Sequence, residues 1–348
     1  MNAKGPSPQK SEVRPPKAEV RSIADLARIA GVSVSTISRA LTGKGTLNEK
    51  TRERVRALAD EHGFRLNVAA QNLRLGRTGA IGVLLPLGHD RGQHLSDPFF
   101  SAMLGHLADE LAEHGYDLLM SRVLPGRANW LDDFVRSGRT DGVIVIGQSN
   151  QGAVLDAVGR HYRNLVVWGA HGTDLPYLTV GTDNVAGGAL AAEHLLARGR
   201  RRLAFFGNVE APEFAAREQG FLAALPPDLR AQVEIVPIQL TPESSFAAAS
   251  AYFAAGNRPD GVFAASDIIG MSIVSAAAEQ GIVVPEAMSV VGFDDILLAR
   301  IATPPLTTVR QDIAEGARRL VALLLQRIAG ADVASVLLEP RLVERGSS

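Results

Sequence analysis

The chain of 348 residues is longer than one hydrophobic core usually organises, and its 46% hydrophobic and 21% charged residues describe an ordinary globular protein of two or three domains. It contains no cysteine, which excludes disulfide scaffolds and thiolate metal sites and fits a reducing cytoplasm. The net charge of -1 hides a segregation: residues 1–78 carry 15 Lys and Arg against 7 Asp and Glu, residues 79–348 carry 21 against 30, and all five lysines lie in the first part. A basic head on an acidic body is the balance expected of a nucleic-acid-binding module joined to a soluble domain, because phosphate contacts supply most non-specific affinity.

Residues 1–20 are rich in charge and proline, lack the apolar run of a secretory signal and read as a disordered arm; no stretch has the apolar length to span a membrane. In the stretch 22–41, SIADLARIAGVSVSTISRAL, apolar residues recur at three- and four-residue steps over two segments separated by Gly31. Ser22 and Ser33 stand at N-cap positions, with Asp25 and Thr36 three residues on. Two short helices around a glycine turn form a helix-turn-helix, and Val34, Ser35, Ser38 and Arg39 on its second helix point outward. Asn48 starts a third helix from about Glu49 to His62, with Lys50, Arg52, Arg54 and Arg56 outside. Asn67 to Leu75 is a weakly amphipathic segment too short to be stable without a partner.

From Ala80 the texture changes. Short apolar runs at 81–86, 116–123, 141–147, 165–170, 178–183, 202–207, 233–239, 261–266 and 288–295 alternate with helical segments. Near-continuous Val, Ile and Leu implies burial on both faces, hence doubly wound parallel sheets covered by helices; nine or more strands imply two similar α/β lobes, with ligands beyond the strand C-termini.

Taken in order, SIADLARIAGVSVSTISRALTG, TRERVRALADEHGF, N-x-A-A-x-x-L, IGVLLP, DPFF, GTDNVAGG, REQGF, ASD, VVGFDD and PPLTTVRQD resemble the lac repressor family of bacterial transcription regulators over residues 20–345. The resemblance implies a headpiece at 21–66, a hinge helix and linker at 67–78, and a core at 79–348 like the periplasmic sugar-binding proteins, whose chain crosses between lobes three times. By the family pattern the N-lobe takes 79–171 and 308–331, and the C-lobe 172–307 and 332–348. It further implies that Val34, Ser35 and Arg39 read bases, that Ser33, Thr36 and Ser38 lie at the DNA with Ser33 and Thr36 on phosphate, and that Asn67, Ala70 and Leu73 belong to the hinge contact, Leu73 as a minor-groove wedge. Phe99, Phe100, Arg217, Asp267 and Asp294 match effector-contacting positions of the family. Gln148 and Trp168, also at strand ends, are further candidates, Trp168 with interface packing as an equal alternative.

No enzyme motif is present: there is no Gly-x-Gly-x-x-Gly after a strand, no Walker loop, no Gly-x-Ser-x-Gly and no His-Glu-x-x-His. No metal or cofactor is expected, since the loop histidines His89 and His94 make at most two ligands. A bidentate Arg with acceptor carboxylates suits vicinal hydroxyls, and an aromatic face suits a pyranose. Leu240, where purine-binding relatives carry an aromatic, weakens a nucleobase reading. The expectation is a cytoplasmic homodimeric repressor, not an enzyme, released from a pseudo-palindromic operator by a mono- or disaccharide; the alternative is a corepressor-dependent regulator answering a nucleobase or nucleoside. The loop 87–96 is longer than the family version and is left without a role.

Overall fold

The computed structural model describes residues 20, 22–42, 45–65, 76–86, 95–123, 129–148, 150–172, 174–208 and 210–348. The arm up to residue 19, most of the 87–96 loop and the hinge segment with Asn67, Ala70 and Leu73 lie outside the described residues. The chain divides into two compact units, Met1–Gly76 and Arg77–Ser348.

In the first unit, α1 (Ile23–Ala30), α2 (Val34–Thr42) and α3 (Glu49–Glu61) enclose a small core of Leu26, Ala27, Ala30, Ile37, Ala40, Val55 and Ala59. The capping reading is realised in atoms. Ser22 Oγ accepts the Asp25 amide at 3.1 Å while the Asp25 carboxylate accepts the Ser22 amide at 3.2 Å, so two of the orphan donors of α1 are satisfied. Gly31 ends α1 in the left-handed conformation, and Ser33 Oγ accepts the Thr36 amide at 3.2 Å to start α2. Arg54 donates to the carbonyl of Ala30 at 2.9 Å, pinning α3 to the end of α1.

The second unit contains two six-stranded sheets. The first has the order β11-β5-β4-β3-β1-β2, built from β1 (Ala80–Pro86), β2 (Asp117–Val123), β3 (Gly142–Ile146), β4 (Leu165–Trp168), β5 (Leu178–Thr182) and β11 (Val336–Leu338). The second has the order β12-β10-β9-β8-β6-β7, from β6 (Leu203–Phe206), β7 (Glu234–Val236), β8 (Gly261–Ala264), β9 (Ser289–Asp294), β10 (Thr307–Arg310) and β12 (Arg341–Val343). All pairings are parallel except β10 with β12. Helices α4 (Pro98–Glu113) and α13 (Ile313–Ile328) cover one face of the first sheet through Met103, Leu107, Leu111, Leu320 and Leu324. On the other face, α5 (Trp130–Arg136) and α6 (Gly152–Gly159) bury Leu131, Phe134, Leu155 and Val158. In the second lobe, α7 (Asn184–Ala197), α8 (Pro212–Ala224), α10 (Pro242–Ala254) and α11 (Asp267–Glu279) enclose a core rich in phenylalanine; α9 (Pro227–Arg230) and α12 (Leu297–Ile301) are short connectors.

The chain passes between the sheets after β5, after β10 and after β11. These places differ from the family-pattern bounds at 171, 307 and 331. Residues 172–182 belong to the N-lobe, because Leu178 pairs with Val166 and Leu178 and Val180 join its core. β10 pairs with β9 in the C-lobe sheet, and β11 pairs with β5 in the N-lobe sheet. Short apolar strands carry no mark of which sheet they enter; only register, here Val336 opposite Val180, decides it.

Candidate functional site

On the first unit the candidate DNA-reading residues form the exposed side of α2. Val34, Ser35 and Arg39 are exposed, while Ile37 and Ala40 face inward. A helix whose base-facing positions offer a methyl surface, a hydroxyl and a fork of five donors has the chemistry of major-groove readout. Ser33 is bound within the protein: its hydroxyl caps α2 and lies 2.8 Å from both Ser35 Oγ and Thr36 Oγ1, so its first task is to order the recognition turn. Arg39 Nε donates to the Ser35 carbonyl at 3.4 Å. Ser38 contributes its carbonyl to the Thr42 hydroxyl at 2.7 Å.

The second site lies between the lobes of the core, beyond the strand C-termini. A cleft of about 770 Å³ is walled by Phe99, Phe100, Trp168, Phe214, Leu240, Ile268 and Ile296, with Asp97, Glu213, Arg217, Ser266, Asp294 and Gln311 as its polar groups. Phe99 packs on both lobe cores and lies 6.3 Å from the Trp168 ring. The lobes meet again where the Gln148 amide donates to Glu213 Oε1 at 3.4 Å.

Arg217 owes its position to backbone contact. A Cβ on Gly188 of α7 would lie 2.0 Å from the Arg217 carbonyl oxygen, and one on Gly220 of α8 would lie 1.9 Å from that of Val185; the two helices therefore approach as closely as their backbones allow. The guanidinium is buried, with its Nε donating to Asn184 Oδ1 at 2.8 Å and NH1 to the Ala265 carbonyl at 2.5 Å. It sits 3.7 Å from the centre of the Phe293 ring and 4.9 Å from that of Phe214. Burial draws its pKa down, while Asp294, Glu213 and Asp267 pull it back up.

Asp294 ends β9 at a φ of 118°, and Asp295 follows at 56°. Both are non-glycine residues with left-handed backbone, a strained arrangement that persists where the surroundings over-determine it. Asp294 Oδ1 accepts from Gln311 Nε2 and lies 3.8 Å from Arg217 NH1. Burial pushes its carboxyl up to about 7 against the lowering effect of Arg217 and the Gln311 bond, with Asp97 adding a further upward push.

Five of the seven expected effector residues, Phe99, Phe100, Trp168, Arg217 and Asp294, line the cleft. Gln148 and Asp267 do not. The Gln148 side chain turns away, donating to the Ala170 carbonyl and Tyr177 hydroxyl at 3.3 Å each and accepting the Ala170 amide at 3.1 Å, so it ties the loops after β3 and β4 together. Asp267 is fully buried behind Asp294, accepting from Thr308 Oγ1 at 2.5 Å and from the Ile296 amide at 2.9 Å; burial and then the charge of Asp294 push its pKa well up. Trp168 lines the cleft and also packs on α13, where a Cβ on Gly316 would come within 2.3 Å of its ring. Asp97, Glu213, Phe214 and Gln311 are cleft residues that sequence reasoning missed. Asp97 and Gln311 stand inside the quoted DPFF and PPLTTVRQD motifs, and Glu213 opens the helix carrying Arg217, so position beyond a strand end was the available signal.

Comparison with known proteins agrees with this division. Residues 22–67 match the family described as bacterial regulatory proteins, lacI family, and residues 192–348 match a periplasmic binding protein-like domain. The HTH-type transcriptional repressor PurR of Serratia proteamaculans is 30% identical over 344 residues, covering 93% of this chain and 96% of that protein. A transcriptional regulator CelR-cellobiose complex aligns over 94% of this chain and 100% of its own, with a TM-score of 0.67 and 27% identity. The lac repressor dimer bound to operator and the anti-inducer ONPF shares the fold, with a TM-score of 0.78 at 24% identity over 94% of this chain and 98% of its own. The chain therefore belongs to the lacI family of bacterial regulatory proteins.

Proposed function

We propose that this protein is a cytoplasmic, sequence-specific transcriptional repressor that binds a pseudo-palindromic operator as a homodimer and releases it when a sugar occupies the cleft. The observation that carries the reading is the joining, in one chain, of an exposed α2 with Val34, Ser35 and Arg39 to a two-lobed core whose cleft is lined by hydroxyl acceptors and aromatic faces. Asp97, Glu213 and Asp294 accept hydrogen bonds from hydroxyls, Arg217 donates to ring and hydroxyl oxygens, and Phe99, Trp168 and Phe214 offer flat apolar surface to a pyranose. The similarity to a regulator in complex with cellobiose supports a mono- or disaccharide. A ligand that bridges both lobes favours one lobe arrangement, and only that difference in affinity shifts the population competent for DNA. Nothing in this scheme calls for catalysis, and among the described residues no helix is long and apolar enough to cross a membrane.

The dimer reading rests on α12, where Leu297 is 70% and Ile301 69% exposed beside Leu298. The expected hinge contacts of Asn67, Ala70 and Leu73 belong to the same reading.

The second reading, a corepressor-dependent regulator answering a nucleobase or nucleoside, draws support from the similarity to PurR. Leu240 lines the cleft as an aliphatic wall and favours the sugar. The test is operator binding measured while candidate sugars and purines are titrated. Release by a sugar supports the first reading, and tightening by a purine selects the second. Arg217→Ala is expected to abolish the response while operator affinity persists, and affinity that fails to fall steeply with salt overturns the DNA-binding reading itself.

A further inference from the structure

Behind Asp294, on the side away from the effector cleft, lies a second inter-lobe cavity of about 760 Å³, walled by Ala102 and His106 of α4, by 294–297 and Arg300 of the C-lobe, and by 310–314 of the crossover into α13. Its lining sets Arg300 and Arg310 among Asp294, Asp295 and Asp312. Asp295 is fully buried there and gathers three guanidiniums: Arg345 donates to Oδ1, Arg310 Nε to Oδ2 at 2.6 Å, and Arg300 NH2 to Oδ2 at 3.3 Å. Burial would raise the Asp295 pKa, but the bonds from Arg345 and Arg310 hold it below the usual carboxylate range, so its charge is fully used.

One carboxylate neutralises one of these cations. Arg345 is the most enclosed of the three and also donates to the Leu306 carbonyl at 2.8 Å, whereas the Arg300 and Arg310 side chains remain 52% and 43% exposed. Among the described residues Arg310 is held through Nε alone and Arg300 through one terminal nitrogen, which leaves their remaining N–H donors to the cavity. The other carboxylates of the wall are engaged: Asp294 with Gln311 and Arg217, and Asp312 with the Glu315 amide that it caps at 3.0 Å. Ile313 and Ala314, in the first turn of the sixteen-residue α13, complete the wall, where the carboxylate of Asp312 already caps the helix.

We propose that this cavity binds an oxyanion of the phosphate class, either inorganic phosphate or the phosphate group of a small metabolite, between Arg300 and Arg310. Two forked donors with unused N–H groups facing one cavity suit a phosphate, and the carboxylate-rich effector cleft next door does not compete for the same ligand. The site joins α12 of the C-lobe, the crossover after β10 and α4 of the N-lobe, and shares Asp294, Ile296 and Gln311 with the effector cleft.

Leu297 and Arg300 of α12, the helix assigned above to the dimer, themselves line the cavity, so the test uses the full-length protein in its native assembly. Inorganic phosphate and glycerol phosphate are titrated by calorimetry and by thermal shift, with chloride keeping ionic strength constant. Saturable binding is expected, weakened ~10-fold in Arg310→Gln and in Arg300→Gln, as the loss of a charge-assisted hydrogen bond implies. Arg300→Gln carries the test if Arg310→Gln fails to fold, and whichever anion binds more tightly identifies the source. Arg217→Met is expected to leave phosphate binding intact even though it alters the effector cleft. Non-saturating titrations, equal affinity in the Arg300 variant, or loss confined to Arg217→Met would overturn the assignment.

Discussion

Replacing Asp294 by Asn isolates one buried proton. In the folded chain the Asp294 carboxyl is pushed up from 3.8 to about 7, chiefly by burial. Between those values the folded state holds a proton that the unfolded state has released. The stability contributed by this group is therefore complete below pH 3.8, declines as pH rises and is gone above about pH 7. At ~1.4 kcal/mol per pH unit, the change across the window is about 4 kcal/mol. Asn keeps the shape and still accepts from Gln311 but does not titrate, so stability should move by about 4 kcal/mol in favour of the variant between pH 4 and pH 8. Asp267 moves with its neighbour and adds in the same direction, because the charge of Asp294 is one cause of its raised pKa. Urea unfolding followed by tryptophan fluorescence reads this directly, since the only two tryptophans, Trp130 and Trp168, lie in the core. Parallel pH profiles for the parent and Asp294→Asn would refute the reasoning.

A hydroxyl donor prefers the ionised Asp294, so effector binding should strengthen as pH rises towards 7 and release protons, visible as buffer-dependent binding enthalpy. Arg39→Ala should cost about 1–3 kcal/mol per half-site and relax the choice at one base in a binding-site selection; uniform loss across sequences would make Arg39 a phosphate contact. Gly188→Ala drives a methyl into the Arg217 carbonyl and should destabilise the core by ~1–3 kcal/mol in urea while weakening the effector response, because α8 must retreat. Ile301→Glu should convert the proposed dimer to monomer in sedimentation, with operator affinity falling in step; an unchanged dimer would move the interface away from α12.

The headpiece was legible because its information is local. Capping serines, a left-handed glycine and a three-to-four-residue apolar step act within one or two helical turns, and the observed α1 and α2 follow them residue by residue. The core was legible only as a class. β10, β11 and β12 are four, three and three residues long, too short for a strand pattern, and their pairing partners lie far off in sequence. The cleft was half legible for the same reason. Residues at strand ends, such as Trp168 and Asp294, followed from topology, but whether a carboxylate there faces ligand or its neighbours depends on packing. Asp267 illustrates the failure: its carboxylate holds Thr308 and Ile296, the first forty-one residues away in sequence, and nothing in ASD announces that bond.

The threefold passage of the chain between sheets also sets a timetable for synthesis. The core of α1, α2 and α3 is drawn from residues 20–64 and can close soon after those residues emerge from the ribosome. The sheets cannot. β5 waits for β11 at 336–338, with the Thr179 amide bonded at 2.9 Å to Ser335, and β10 waits for β12 at 341–343. Neither lobe completes its sheet until those strands have been made, so a ribosome late in translation displays a finished DNA-reading module tethered to a sensor that is still unfinished in both halves.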